Sequence, residues 1–214
     1  MTEEAALRAQ LIQTCLDMDE AGINQGTAGN ASARFGGGML ITPTGVPYRD
    51  MQPEDMVFVH ADGRTEGRLE PSSEWRCHLG IINTRPEVGA VIHAHPVYAT
   101  AIAIMEYEIP AAHYMVGVGG GNTIRCARYA TYGTAELAEN ALEALEGRTA
   151  CLLAHHGVVT TGPDLGRALW LAVELETLAK QYYLTLTMGG PPILDDAEIE
   201  RVLEKFKTYG PRER

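Results

Sequence analysis

The sequence predicts an α/β fold in which helices cover a β-sheet. Segments with apolar residues at helical spacing alternate with short apolar, β-branched segments, and no internal repeat interrupts this pattern. The chain has 214 residues, of which 45% are hydrophobic, and this is enough apolar material for one substantial core. Because no linker-like stretch divides the chain, we predict a single domain over residues 1–214.

The N-terminal part is expected to begin with a helix and to continue with two strands. Residues 3–21 have the apolar spacing of an amphipathic helix, which Gly22 ends. A polar turn that contains glycines is expected at 26–32. Short apolar runs followed by turn residues then predict strands at 39–42 and 56–60.

A helix start is recognisable at Pro71–Glu74, with two hydroxyl caps and an acid in the first turn, and the helix should end before Pro86. Val88–His95 is a β-branched strand, Pro96 opens a small helix, and residues 114–130 are glycine-rich and irregular. The remaining expected elements are a helix at 134–146, a buried strand at 149–154, a long helix at 165–188 and a final amphipathic helix at 195–209 with caps at Asp195 and Asp196.

Composition disfavours several classes of function. The formal net charge of −11 argues against a surface for nucleic acid or acidic membranes, so neither partner is predicted. An acidic protein that handles an anionic substrate needs a metal ion or backbone N–H groups for local attraction. There is no apolar run of membrane-spanning length, no signal-peptide pattern and no CxxC pair among the four cysteines, and we therefore expect a cytoplasmic protein.

Two histidine clusters occur where predicted strands end. Side chains two residues apart on a strand point to the same face, so the imidazoles of His93 and His95 can converge on one ion. His155 and His156, before Gly157, offer a candidate third ligand, and three imidazoles are a common ligand set for catalytic Zn²⁺. On spacing alone, hydrogen-bonded core histidines are an equally good interpretation. No partner at ligand spacing accompanies the other three, which we interpret as structural or surface groups: His60, His78 and His113.

Three polar segments carry groups that suit an anion. Ser72 and Ser73, at the predicted helix start, offer hydroxyls and unpaired N–H groups. Asn30 and the pair Thr44 and Gly45 lie in short turns. Each of these is an ordinary cap or turn when taken singly. A phosphate pocket requires the three segments to meet in the fold.

Taken together, these segments resemble the class II aldolase/adducin family. The matching stretches run in order across nearly the whole chain, and this collinearity is more specific than any single motif. They are Asn24–Asn30, Met39–Tyr48, Pro71–Arg76, His93–His95, Ala112–Met115, Gly120–Asn122, Tyr129–Gly133, His155–Gly157 and Lys205–Gly210. The resemblance implies a mostly antiparallel central sheet with helices on both faces, and a fourfold homotetramer with active sites at the subunit interfaces.

The resemblance also implies roles for residues at the matching positions. One Zn²⁺ per subunit is expected, with Mn²⁺ or Co²⁺ as possible replacements. Tyr114 matches a catalytic tyrosine supplied across the subunit interface, and Tyr209 matches one on the C-terminal tail. The metal ligands implied are Glu74, which is also the implied general base, His93, His95 and His156. The implied phosphate-binding groups are Asn30, Thr44, Gly45, Ser72 and Ser73.

The implied activity is reversible, zinc-dependent cleavage of a ketose 1-phosphate. With L-fuculose 1-phosphate, the products are dihydroxyacetone phosphate and L-lactaldehyde. Tyr132 departs from the Phe of close relatives, so an aldolase for 5-deoxyribulose 1-phosphate or methylthioribulose 1-phosphate is the nearest alternative. A methylthioribulose-1-phosphate dehydratase or a pentulose-phosphate 4-epimerase uses the same kind of metal site. A non-catalytic module, as in adducin, is disfavoured because all four implied ligands are present.

Overall fold

A computed structural model describes residues 2–208 and places six helices around one sheet in this range. The helices are α1 Glu3–Glu20, α2 Trp75–Thr84, α3 Val97–Ile104, α4 Ala135–Ala144, α5 Leu165–Thr187 and α6 Asp196–Phe206. The strands are β1 Asn30–Phe35, β2 Gly38–Ile41, β3 Val57–His60, β4 Thr65–Glu66, β5 Ala90–Ala94, β6 Ile109–Pro110, β7 Thr123–Ala127, β8 Ala150–Leu153 and β9 Gly157–Gly162. Short 3₁₀ turns occur at Tyr48–Asp50, Pro53–Asp55 and Tyr114–Gly119.

The sheet has the strand order β4-β3-β2-β1-β5-β9-β8-β7-β6. Neighbouring strands are antiparallel except for β7 and β8, which are parallel and are joined through α4. In the centre, β5 pairs with β1 on one side and with β9 on the other, so His93 lies opposite both Asn30 and Val159. The expected α/β fold with a mostly antiparallel sheet is confirmed.

Two separate cores cover the two faces of the sheet. Side chains alternate along β2, so Leu40 packs into one core while Met39 and Ile41 pack into the other. The first core is closed by α1, α3 and α5, and the second by α2 and α4. Helices therefore lie on both faces, as expected. The assignment of residues 1–214 to one domain stays a prediction.

Five strands were not expected from the sequence, and two of them, β4 and β6, are only two residues long. The predicted turn at 26–32 gives way to β1 at Asn30, and β7 runs through the segment predicted to be irregular. No element was predicted for β9. The buried residues of β1 are small, and they include Ala31, Ser32 and Ala33. Such residues lack the β-branched pattern by which strands are recognised.

The final helix is shorter than predicted. Asp195 is its N-cap, with Oδ1 accepting a hydrogen bond from the Glu198 N–H at 2.8 Å, while Asp196 is in the first turn. The helix ends at Phe206 rather than at 209. Tyr209 lies outside the described residues. Over the range 2–208, none of the helices combines the length and the apolar character needed to span a membrane.

Candidate active site

His93 and His95 lie at the end of the central strand β5, with their imidazoles on the same face. Their Nε2 atoms are 2.8 Å apart. His93 is buried, and its Nδ1–H donates to the Val158 carbonyl oxygen on the neighbouring strand at 2.9 Å. When the ring is neutral, that bond leaves Nε2 as the nitrogen with a free lone pair, and Nε2 is directed toward His95.

His156 reaches the same place from the hairpin between β8 and β9. Its ring centroid is 4.7 Å from that of His93 and 5.0 Å from that of His95. Gly157 is required at the next position, because a Cβ there would lie 2.4 Å from the Ala94 oxygen and 2.7 Å from the His95 ring. One ligand atom from each of the three histidines falls within a group no wider than 4.8 Å.

His155 is the histidine that the hairpin turns outward. Its φ of 55° is in the left-handed region, and its ring is half-exposed beside Glu106, with Nε2 3.1 Å from Oε1. The structure thereby distinguishes the two histidines that the sequence left as alternative candidates for the third ligand. His156 joins the cluster, whereas His155 lies at the rim of the adjoining cavity.

Glu74 completes the cluster from the start of α2. It occupies the N-cap position rather than the first turn, which corrects the sequence prediction. Its side chain does not cap the helix and instead points at the histidines. Oε2 is 2.8 Å from Nε2 of His93, and Oε1 is 3.3 Å from Nε2 of His156. A buried carboxylate and three imidazoles therefore meet at one point.

The charges of the cluster suit a cation at its centre. Burial acts to raise the pKa of Glu74, but the charge and hydrogen bond of His93 outweigh it and hold this pKa well below its usual range. Burial and the neighbouring His93 lower the pKa of both His95 and His156 to about 4, which leaves them as neutral imidazoles, the ligating form. Glu74 Oε1 also has no hydrogen-bond partner within residues 2–208. These donors fit a divalent metal ion, because imidazole nitrogen and carboxylate oxygen are both common metal ligands.

A cavity of about 350 Å³ opens beside the cluster. The three segments with predicted phosphate-binding groups meet on its wall, and Asn30 Nδ2 also donates to Glu74 Oε2 at 3.4 Å. Its lining residues with predicted roles are Asn30, Thr44, Gly45, Ser72, Ser73, Glu74, His93, His95 and His156. The structure thus brings all of the predicted metal and phosphate residues together.

Several residues of the site were not found from the sequence. Thr27 and Tyr129 line the cavity, and no spacing pattern singles them out. Behind Glu74, Nδ1 of the buried His78 ring is hydrogen-bonded to the Ser32 hydroxyl, which is 2.7 Å away. Only the tertiary structure reveals this pair, because Ser32 and His78 come from a strand and a helix that are far apart in sequence.

Of the two predicted catalytic tyrosines, the structure describes only Tyr114, which is not in this cavity. Tyr114 is exposed on the 3₁₀ turn Tyr114–Gly119, where its ring stacks on His113 and lies 6.4 Å from the Phe206 ring. It is absent from the lining of the cavity in its own subunit. Tyr209 lies beyond the part of the chain that the structure describes.

Comparison with known proteins decides the family. The family model described as the Class II Aldolase and Adducin N-terminal domain matches residues 9–183. The chain belongs to the class II aldolase/adducin family. A solved L-fuculose 1-phosphate aldolase superposes with a TM-score of 0.92 at 40% identity, covering 97% of this chain and 98% of that one.

Characterised members of the class II aldolase/adducin family extend the comparison. The chain is 53% identical to the 5-methylthioribulose-1-phosphate/5-deoxyribulose-1-phosphate aldolase of Rhodospirillum rubrum, over 96% of this chain and 93% of the relative. It is 51% identical to the L-fuculose phosphate aldolase of Escherichia coli K12, over 98% of each. The chain is accordingly an aldolase-type lyase of a metal-dependent family. Overall identity does not separate the two substrate types.

Proposed function

We propose that this protein is a zinc-dependent aldolase that cleaves a ketose 1-phosphate between C3 and C4. L-Fuculose 1-phosphate is the proposed substrate, and dihydroxyacetone phosphate and L-lactaldehyde are the products. The observation that carries the proposal is the meeting of three imidazoles and a buried carboxylate beside a wall of hydroxyl, amide and backbone donors. Such a site can hold a cation and a phosphate within one cavity.

The proposed metal ligands are Glu74, His93, His95 and His156. Zn²⁺ is preferred because imidazole nitrogen with a carboxylate is a typical zinc donor set, and Mn²⁺ or Co²⁺ can occupy similar sites. When bound, the ion supplies Lewis-acid stabilisation for negative charge that develops on the substrate oxygens.

Glu74 is the proposed proton carrier. In synthesis its carboxylate removes a proton from C3 of dihydroxyacetone phosphate, and in cleavage the protonated carboxylic acid returns a proton to that carbon. Its lowered pKa keeps it ionised at neutral pH, as a proton acceptor must be. The hydrogen bond from Asn30 fixes the carboxylate at the wall where the phosphate segments begin.

The phosphate of the substrate is proposed to bind to Asn30, Thr44, Gly45, Ser72 and Ser73. Ser72 and Ser73 precede α2, whose first N–H groups carry partial positive charge. Thr44, Gly45 and Ser73 are exposed on the cavity wall, whereas Ser72 is buried. Backbone and hydroxyl donors of this kind can neutralise a phosphate in a protein with a net charge of −11.

We also propose a fourfold homotetramer in which Tyr114 of one subunit acts in the cavity of its neighbour. In synthesis the Tyr114 hydroxyl would protonate the aldehyde oxygen, and in cleavage the tyrosinate would take the proton of the C4 hydroxyl. Its exposure outside its own cavity agrees with this arrangement. Tyr209 is proposed to assist from the C-terminal tail. A cytoplasmic location is proposed as well, supported by four cysteines that are all unpaired.

The imine route used by other aldolases is disfavoured by the positions of the lysines. That route requires a lysine amine within reach of the substrate carbonyl. The chain has Lys180 in α5, Lys205 in α6 and Lys207 just after it. None of them lines the cavity.

A second candidate is an aldolase for 5-deoxyribulose 1-phosphate or methylthioribulose 1-phosphate. The Rhodospirillum rubrum relative, named for substrates of this type, supports it. The exposed ring of Tyr132 lies where the aldehyde end of a substrate would meet the rim. Dehydratase or 4-epimerase chemistry would instead give water loss or an inverted C4 centre, and product analysis distinguishes these outcomes.

The deciding experiment is a coupled assay for dihydroxyacetone phosphate release from L-fuculose 1-phosphate, with and without a chelator. Release that stops on chelation and returns with Zn²⁺ is the expected result. Equal release in the presence of chelator would contradict the metal proposal. If zinc-loaded protein releases no dihydroxyacetone phosphate, L-fuculose 1-phosphate is not the substrate, and the 5-deoxypentulose 1-phosphates become the proposed substrates.

A further inference from the structure

A buried amide lies between one proposed metal ligand and the loop that forms part of the cavity wall. Asn24 Oδ1 accepts a hydrogen bond from the backbone N–H of His95 at 2.9 Å. Its Nδ2 donates to the Tyr48 hydroxyl at 3.0 Å, and that hydroxyl donates to the Ala28 carbonyl at 2.5 Å. The side chains of Asn24 and Tyr48 are both buried, and neither lines the cavity.

On the metal side, Asn24 replaces a missing strand partner. The strand β5 ends at Ala94, whose partner is Val158, and His95 is the first residue beyond the ladder. The His95 N–H would be unpaired there without the Asn24 oxygen. The backbone position from which the His95 ring extends is therefore set by Asn24.

On the opposite side, the same amide shapes the loop. Gly29, with a φ of 78°, approaches so closely that a Cβ would lie 2.2 Å from Asn24 Nδ2. The Tyr48 hydroxyl holds the carbonyl of Ala28, next to Gly29. Residues 27–30, which line the cavity, are thereby fixed against the Asn24 side chain and the Tyr48 ring.

We propose that Asn24 and Tyr48 are positioning residues that set the metal end and the phosphate end of the cavity relative to each other. The inference rests on the proposed function for the identity of the two ligands. Two substrate contacts, at the metal and at the phosphate, must be held at a fixed separation for the reacting carbon to lie beside Glu74. A single buried amide bonded to both ends supplies that constraint.

The test is Tyr48→Phe, which removes one hydroxyl and leaves the lining of the cavity unchanged. We expect zinc binding, measured by chelator competition, and inorganic phosphate binding to the zinc-loaded protein each to weaken about tenfold, because two buried polar partners lose a hydrogen bond. The Co²⁺-loaded protein should also show an altered visible absorption spectrum, since the geometry of His95 changes.

Thr160→Val is the matched control. Thr160 Oγ1 donates to the Ala168 carbonyl at 2.9 Å in a fully buried position away from the cavity. The substitution therefore removes one buried hydroxyl hydrogen bond, as Tyr48→Phe does, and should lower the melting temperature without changing either affinity. If Tyr48→Phe behaves in the same way, or weakens only one of the two affinities, the coupling role is wrong.

Asn24→Asp tests separately the contact of Asn24 with His95 and its contact with Tyr48. Its carboxylate keeps an oxygen toward the His95 N–H, and its second oxygen accepts from the Tyr48 hydroxyl, which then no longer donates to the Ala28 carbonyl. Zinc binding should therefore be retained while phosphate binding falls. Loss of zinc binding with phosphate binding unchanged would overturn the assignment. None of these readouts is the enzymatic activity. A wild-type protein that binds both ligands but releases no dihydroxyacetone phosphate would refute the proposed reaction and leave this inference standing.

Discussion

The two ends of the cavity differ in burial and in what holds their side chains in place. At the metal end, His93 and Glu74 are 1% and 6% exposed, and a strand ladder and a helix start fix their backbones. At the rim, Tyr129 and Tyr132 are 58% and 67% exposed and lie in the irregular connection between β7 and α4. Rigid, desolvated groups suit bond-breaking chemistry, whereas exposed loop residues can vary without disturbing it.

This difference in burial assigns the reaction type and the choice of substrate to different ends of the cavity. Relatives named for L-fuculose 1-phosphate and for 5-deoxyribulose 1-phosphate are almost equally similar to the chain, at 51% and 53% identity. Both substrate types present a phosphate and a ketone to the cavity and differ at the aldehyde end. We infer that the buried end determines the aldol chemistry and that the rim selects the aldehyde.

The largest expected effect comes from removing a ligand at the buried end. His95→Ala should abolish stoichiometric zinc binding and reduce dihydroxyacetone phosphate release about 10³-fold, because several kcal/mol of charge stabilisation are lost. Metal content and the coupled assay measure this. His60→Ala is the control, since His60 contacts Glu66 on the far strands of the sheet and should leave both quantities unchanged. Undiminished turnover without bound metal would contradict the claim that metal ligands at the buried end of the cavity determine the chemistry.

A smaller loss is expected when the proton carrier is changed and the three histidine ligands are kept. Glu74→Gln should lower kcat by about 10²- to 10⁴-fold while the three histidines still bind zinc. Glu176→Gln serves as the control, because the Glu176 carboxylate accepts N–H groups of Tyr98 and Ala99 at 2.9 Å outside the cavity. Unchanged kcat in Glu74→Gln would exclude the base role.

Tyr114 tests whether the exposed surface completes the buried end of a neighbouring subunit. Tyr114→Phe should reduce kcat about 10²-fold through loss of the proton donor. Mixed tetramers of Tyr114→Phe and His95→Ala should regain up to about a quarter of wild-type activity, because some interfaces then combine an intact metal site with an intact tyrosine. Hybrid tetramers that form but regain nothing would show that Tyr114 acts within its own subunit or has no catalytic role.

The smallest effect is expected at the rim. Tyr132→Phe should shift the ratio of kcat/KM values toward L-fuculose 1-phosphate over 5-deoxyribulose 1-phosphate by less than about tenfold, because the rim then lacks the hydroxyl by which Tyr132 departs from the Phe of close relatives. Zinc content should not change. Tyr107→Phe is the control, because Tyr107 is exposed and lies outside the cavity. A large fall in turnover with both substrates would place Tyr132 in the chemistry rather than in selection.

The parts of the site that follow local rules could be predicted, and the parts that depend on the tertiary structure could not. The HxH spacing on a strand placed His93 and His95 correctly, because side-chain alternation is local. Glu74 was expected to be a ligand only through the family resemblance, since its approach depends on how α2 packs against β5. The choice between His155 and His156 depends on a left-handed residue in the hairpin, which no apolar pattern encodes. The strand β1 was hidden by its small residues, and Asn24 gave no local sign of its two contacts.

The distribution of the ligands along the chain ties the ion to the folded state. An unfolded chain keeps His93 and His95 near each other, but Glu74 and His156 come into place only through α2 and the β8–β9 hairpin. An ion that uses all four groups therefore binds the native protein far better than the unfolded chain. By mass action, free zinc at a hundredfold excess over its dissociation constant adds about 2.7 kcal/mol to the free energy of unfolding. If the site holds zinc as proposed, the melting temperature of this protein rises with the concentration of free zinc.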